Sequence, residues 1–290
     1  MPAKFERDEI TGVETTGHEW DGIKELNNPL PKWWVFVFYA TIVWSVIWWI
    51  LYPSFPTLRS YFPGILGYDQ RTELAQILEE ARARQATWMD RIRSMDVQAI
   101  AADPELLTFA TRGGEVVFKD NCAPCHGLGG AGQLQYPTLA DDDWLWGGTL
   151  EDILYTLTHG IRYHEDPDTR DSQMPAFGAD GILTPDQIRD VAQYVLSLSG
   201  RATDEEAAGR GAEVFAQQCA ACHGEDGKGM REVGAPNLTD SIWLYGGEFE
   251  DIVRQVTWPR HGVMPAWGGR LPEESIKMVT IYVHQLGGGE

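Results

Sequence analysis

Basic side chains are scarce in this 290-residue chain: 23 Lys and Arg face 43 Asp and Glu, a formal net charge of −20. A surface with that field repels phosphate backbones, so nucleic acid is excluded as a partner. The acid excess is concentrated in residues 103–290 and suits a basic soluble partner, although an ordinary solvated acidic surface has the same composition. Cysteine is limited to Cys122, Cys125, Cys219 and Cys222, which leaves no spare thiol outside two short clusters. Long apolar runs are absent with one exception, so a single segment at most can span a bilayer.

Both cysteine clusters read Cys-x-x-Cys-His: Cys122-Ala123-Pro124-Cys125-His126 and Cys219-Ala220-Ala221-Cys222-His223. In this motif two thiols add to the vinyl groups of a haem, and the adjacent histidine ligates the iron. Two intervening residues place both sulfurs on one turn beside the porphyrin edge, and the next residue brings the imidazole under the metal. A zinc site or a pair of redox dithiols would use the same cysteines, but neither requires His at the fifth position twice. The spacing therefore predicts two covalently bound haem c groups, with His126 and His223 as proximal ligands.

The apolar exception is Trp33 to Tyr52, which carries no charge, Gly or Pro. Twenty helical residues reach about 30 Å, the thickness of a bilayer's hydrocarbon core. Trp33, Trp34, Trp48, Trp49 and Tyr52 lie near its ends, where amphipathic rings favour the interface. Pro31 and Pro53 bound it. The run is too long, and starts too late, for a cleaved signal peptide. Flanking charge does not set its orientation. Haem attachment to this motif does, since it takes place outside the bacterial cytoplasmic membrane. The expected arrangement is a single pass through the inner membrane, with residues 1–32 cytoplasmic and partly disordered, and residues 53–290 periplasmic. Within 53–107, a helix is expected from about Asp69 to Met95. Leu74, Leu78, Ala81, Gln85, Trp88, Ile92 and Met95 form its seam, and Asp69 is its N-cap. That seam packs either on the chain's own haem domain or on a partner subunit.

The two motif-bearing segments are repeats. Gly114 to Phe118 answers Gly211 to Phe215, Trp144-Leu145-Trp146-Gly147-Gly148 answers Trp243-Leu244-Tyr245-Gly246-Gly247, and Met174-Pro175-Ala176-Phe177-Gly178 answers Met264-Pro265-Ala266-Trp267-Gly268. Each closes on an amphipathic helix, Pro185–Leu198 and Pro272–Leu286, bearing Tyr194 and Tyr282. The first copy has extra residues within Arg162 to Asp171, expected as a surface loop. This arrangement resembles the class I cytochrome c fold. The expected fold is thus mainly α: one transmembrane helix, a linker helix and two tandem cytochrome c domains, 108–200 and 203–290. Gly114 and Gly211 would allow close helix crossing, with Phe118 meeting Tyr194 and Phe215 meeting Tyr282.

For the distal ligands the expectation is Met174 on the first iron and Met264 on the second. Each precedes a proline that holds it extended. A thioether favours ferrous iron and suits electron transfer. His261 is the rival in the second copy, and His159 and His164 in the first. The carbonyl of Pro137 or Pro236 could fix the proximal imidazole's tautomer. Trp144 and Trp243 either donate to haem propionates or serve as core packing.

The stretch His18-Glu19-Trp20-Asp21-Gly22-Ile23-Lys24-Glu25-Leu26-Asn27-Asn28-Pro29-Leu30-Pro31, followed by Trp33-Trp34, resembles the N-terminal signature of the membrane-anchored di-haem cytochrome c subunit of cbb(3)-type cytochrome c oxidases. The order of anchor, linker and tandem domains is similar to its single-anchor form. The resemblance implies an electron-transfer subunit with no catalytic site of its own. It would accept electrons from a soluble or membrane cytochrome c and pass them through a mono-haem subunit to a haem–copper subunit. Two readings compete: a di-haem peroxidase, which needs an open iron, and a cytochrome subunit of another respiratory or periplasmic dehydrogenase complex.

Overall fold

In the computed structural model, which describes residues 5–290, the chain is mainly helical. It divides into two units, residues 1–84 and 85–290.

The first unit opens with a hairpin, β1 (Thr15–Trp20) and β2 (Ile23–Leu26), where the sequence reading expected partial disorder. The turn is Asp21-Gly22, with φ of 49° and 85°. Two left-handed residues in an Asp-Gly pair are what a tight hairpin turn demands, so the local signal was present in the sequence. Helix α1 (Lys32–Leu51) follows, with no buried residue. A 20-residue helix that is apolar apart from Lys32, Thr41 and Ser45, and that buries no side chain, has the length and surface of a membrane span. Helix α2 (Gln70–Ser94) starts where Asp69 accepts from the Thr72 backbone N–H at 3.0 Å and its hydroxyl at 2.7 Å. Its seam divides. Leu74 and Leu78 are exposed, whereas Trp88, Met89 and Ile92 join a core with residues of the following helices.

Those helices are α3 (Val97–Ala102), α4 (Pro104–Asn121), the one-turn α5 (Ala123–His126), α6 (Leu150–His159), α7 (Pro185–Ser197), α8 (Glu205–Gln218), the one-turn α9 (Ala220–His223), α10 (Phe249–Thr257) and α11 (Glu273–His284). The repeats do not fold separately. Helix α4 crosses α11, and α7 crosses α8. One packed unit is α4, α5 and α6 closed by α11. The other is α8, α9 and α10 closed by α7. The domains expected at 108–200 and 203–290 have thus exchanged their last helices. The expected aromatic pairs are exchanged with them: Phe118 meets Tyr282 at 5.3 Å and Phe215 meets Tyr194 at 5.0 Å.

Side chains at the crossings explain the choice of partner. At the α7–α8 crossing, Arg210 forks onto Asp190 at 2.9 and 2.7 Å. The equivalent positions at the α4–α11 crossing are Gly113 and Met278, which is buried. Unexchanged pairing would set Asp190 against Gly113 and the largely exposed Arg210 against Met278, so this ion pair would be lost, a modest contribution for a pair at the surface. The seven residues between α7 and α8 also favour adjacent antiparallel packing. Gln193, buried, fastens that turn by accepting from the Thr203 backbone N–H and donating to its hydroxyl, both at 3.0 Å. Lys277 of α11 donates to the carbonyls of Arg93 and Met95, each at 2.9 Å, and so satisfies the C-terminus of α2.

Both crossings depend on glycine. A Cβ on Gly114 would overlap the Met278 carbonyl, and one on Gly211 would overlap the Asp190 carbonyl. Gly114→Ala and Gly211→Ala should each cost about 1–3 kcal/mol through overpacking. Denaturant unfolding of the haem-loaded protein checks this, and wild-type midpoints for both would refute close packing at these positions.

Candidate haem-binding clefts

Each haem motif is a single turn that continues from a longer helix. Cys125 and His126 both donate backbone N–H groups to the Cys122 carbonyl, at 3.0 and 2.9 Å, and Cys222 and His223 repeat this on Cys219 at 3.1 and 3.0 Å. Cys122 and Cys219 are buried, while Cys125 and Cys222 are exposed. Burial pushes the Cys122 and Cys219 thiols up to about 11. The turn ends at Gly127 and Gly224, whose φ of 77° and 78° redirect the chain.

The proximal carbonyls anticipated from sequence are in place. Nδ1 of His126 lies 3.1 Å from the Pro137 carbonyl, and Nδ1 of His223 lies 3.1 Å from that of Pro236. A carbonyl only accepts, so Nδ1 carries the proton and Nε2 keeps its lone pair. Burial holds both imidazoles below the usual histidine range, which favours the neutral, ligating form.

The first cleft is lined by Phe118, Cys122, His126, Leu139, Trp144 and Ile153, and the methionine in it is Met264. Ile161 and Met264 exchange backbone hydrogen bonds of 2.9 and 3.0 Å, which fixes this loop of the second repeat beside α6. Met174 lies in the other unit, packed with Phe215, Cys219 and Trp243. The structure thus sets Met264 in the cleft of His126 and Met174 beside Cys219, the reverse of the placement expected from sequence, because the methionine loops travel with the exchanged helices. Arg162 stands where the strands cross. It donates to the Gly262 carbonyl at 2.7 Å and the Ser172 carbonyl at 2.9 Å, tying both loops together. The inserted segment is accordingly not a free surface loop: it returns Arg170 onto Asp152 and Thr156, at 3.1 and 2.9 Å.

The rival histidines are otherwise employed. His261 accepts the Met174 backbone N–H at Nε2, 3.1 Å away, and burial followed by the Arg162 charge lowers its pKa. His159 faces Asp166 at 3.2 Å and packs on Tyr155. His164 is exposed.

The two tryptophans differ. Trp144 donates to the backbone carbonyl of Gly288. Trp243 Nε1 is buried without a partner among the described residues, an orphan donor suited to an anionic group such as a propionate. One carboxyl also lines the first cleft. Asp143 is pushed up to about 6, first by burial and then by Asp240, Asp141 and Asp142, with Arg231 opposing. Paired cysteines on one turn, a neutral imidazole, an apolar cleft and an orphan donor fit covalently held haem.

Comparison with known proteins is consistent with this geometry. Residues 12–59 match the N-terminal domain of cytochrome oxidase-cbb3, FixP; residues 110–199 match cytochrome c; and residues 206–283 match cytochrome c oxidase, cbb3-type, subunit III. The two cytochrome c repeats are thus contiguous in sequence although their helices are exchanged in space. Among relatives, the cbb3-type cytochrome c oxidase subunit CcoP of Cereibacter sphaeroides is 51% identical over 95% of both chains. The CcoP of Azospirillum brasilense is 51% identical over 99% of this chain and 100% of its own, and the FixPc of Rhizobium leguminosarum bv. viciae is 52% identical over 97% and 98%. With that identity along nearly its whole length, the chain belongs to the CcoP/FixP family of cbb3-type cytochrome c oxidase subunits.

Proposed function

We propose that this chain is a two-haem electron relay feeding a cbb3-type oxidase, with each iron held between the histidine of one repeat and the methionine of the other. The crossed placement of Met264 with His126 carries the pairing. Cys122 and Cys125 would hold the first haem, and His126 and Met264 would ligate its iron. Cys219, Cys222, His223 and Met174 would do the same for the second. Bound haem supplies a one-electron ferric/ferrous couple. The residues supply the rest. Pro137 and Pro236 hold the imidazole tautomer, Arg162 fixes both methionine loops, and His261 orients Met174 through its backbone. Trp243 Nε1 would bind a propionate, and the partnering of Trp144 by Gly288 supports a packing role for that ring.

Two neutral, soft distal ligands in closed apolar sites leave no open position for peroxide, which disfavours the peroxidase reading. Oxygen reduction belongs to partner subunits: a haem–copper subunit, reached through a mono-haem cytochrome. The acidic surface suits a basic cytochrome c donor. In this reading helix α1 crosses the bacterial inner membrane once, and because haem attaches to this motif outside the cytoplasmic membrane, the N-terminus is cytoplasmic and the haems periplasmic.

The pairing is tested in a chain that lacks Cys219 and Cys222 and so carries only the first haem. There Met264→Leu should abolish the near-infrared thioether-to-ferric band, and Met174→Leu should leave it. The reverse result would restore pairing within each repeat. A second expectation concerns pH. Above about 6 the Asp143 carboxylate ionises and favours the ferric, more positive state, so the first haem's midpoint potential should fall as pH rises through that value. Asp143→Asn should flatten the dependence, which potentiometric titration at pH 5 and pH 7 would detect.

A further inference from the structure

The turns beside the two proximal histidines are built alike, and each leans on the other domain. Gln135 and Gly234 both stand two residues before the proline whose carbonyl meets a proximal Nδ1. Both have left-handed backbones, φ 75° and 61°. Each touches the Trp-Leu-aromatic-Gly-Gly segment of the opposite repeat, but differently. Gln135 donates its N–H to the Leu244 carbonyl at 3.2 Å. Gly234 instead carries the indole of Trp146: a Cβ on Gly234 would overlap the ring's Cε2 and Cζ2 and lie 2.7 Å from Nε1. Glycine at 234 therefore admits the ring directly onto the backbone.

Trp146 also lines the first cleft beside His126 and Met264, and it is buried. Arg170, held by Asp152 and Thr156, covers the ring with its guanidinium 5.4 Å from the centroid. Tyr245 occupies the equivalent place in the second repeat and takes another neighbour, Arg260, at 4.9 Å. The first cleft is thus joined to the second proximal histidine by an unbroken series: indole, Gly234 backbone, two peptide units, the Pro236 carbonyl, and the 3.1 Å hydrogen bond to His223.

We propose that Trp146 provides the electronic contact between the two haem sites. The inference rests on the reading of the chain as a two-haem relay. One electron leaves a ferrous iron and reduces the ferric iron of the other site; no bond forms or breaks, no proton moves, and the indole itself is not oxidised. Coupling decays less steeply through bonds, close contacts and hydrogen bonds than across a gap, so an aromatic ring bridging the domains raises the transfer rate. Trp146 acts as a positioning and coupling residue and ligates nothing.

The test uses the full-length, haem-loaded protein. A laser flash generates flavin semiquinone, which reduces one haem rapidly, and freeze-quench EPR follows equilibration between the two ferric signals. Trp146→Phe should slow inter-haem transfer several-fold at equal driving force, each variant's midpoint potentials being measured for the comparison, while both near-infrared bands persist. Gly234→Ala, which pushes the indole off the backbone, should slow it likewise and serves if the Trp146 variant does not fold. Tyr245→Phe should equilibrate at the wild-type rate. Unchanged rates in both Trp146→Phe and Gly234→Ala, compared at equal driving force, would overturn the assignment. Equal slowing in Tyr245→Phe would also overturn it, since a loosened interface would then account for the effect. A wild-type protein in which the haems never equilibrate would refute the two-haem relay itself.

Discussion

Helix crossings between the repeats are the constraint on which the rest of this structure depends. Gly114 lets α4 approach α11, and Gly211 lets α8 approach α7. Each crossing carries an aromatic pair, and each brings a methionine loop from the other repeat. The charge pair Arg210–Asp190 on one crossing, and Gly113–Met278 on the other, make the two crossings non-equivalent. Hydrophobic burial alone would accept either pairing, because the repeats present similar apolar faces. The short connection between α7 and α8, with the Arg210–Asp190 pair beside it, favours the exchanged pairing.

Much of the site was legible in the sequence because its chemistry is local. The Cys-x-x-Cys-His turns, and the prolines that receive the proximal imidazoles, act over about a dozen residues. The transmembrane helix and the capped linker helix were legible for the same reason: length, apolar content and Asp69 are properties of contiguous segments. The Asp21-Gly22 hairpin was equally local and was overlooked for lack of apolar alternation around it. The crossing of Met174 and Met264 was hidden for a different reason. An internal repeat satisfies the same periodicity and the same motif whether a helix closes its own copy or the other one. The discriminating signal lay in Arg210 against Gly113 and in Asp190 against Met278, which only a comparison of the two copies' crossing positions would expose.

The polar groups around the clefts divide the labour. Arg162 ties the two methionine loops at the point where the chain passes between units. Arg170 folds the inserted segment back against α6. Lys277 fastens the closing helix of the second repeat to the C-terminal end of α2. Asp143, in the lining of the first cleft, stands apart from these cations and senses burial and the acidic neighbours around it.

The α4–α11 crossing also bears on the order in which the protein can be completed. The chain is synthesised from its N-terminus, so the first cysteine pair is made well before α11. A haem bound there at that moment has its histidine, but neither the helix that closes its cleft nor Met264. The first site therefore matures last, although it is presented first, and a chain interrupted between the repeats yields no finished domain. Exchange makes the final helix the seal of the first cleft, whereas the second, built from α7 to α10, is complete in sequence before α11.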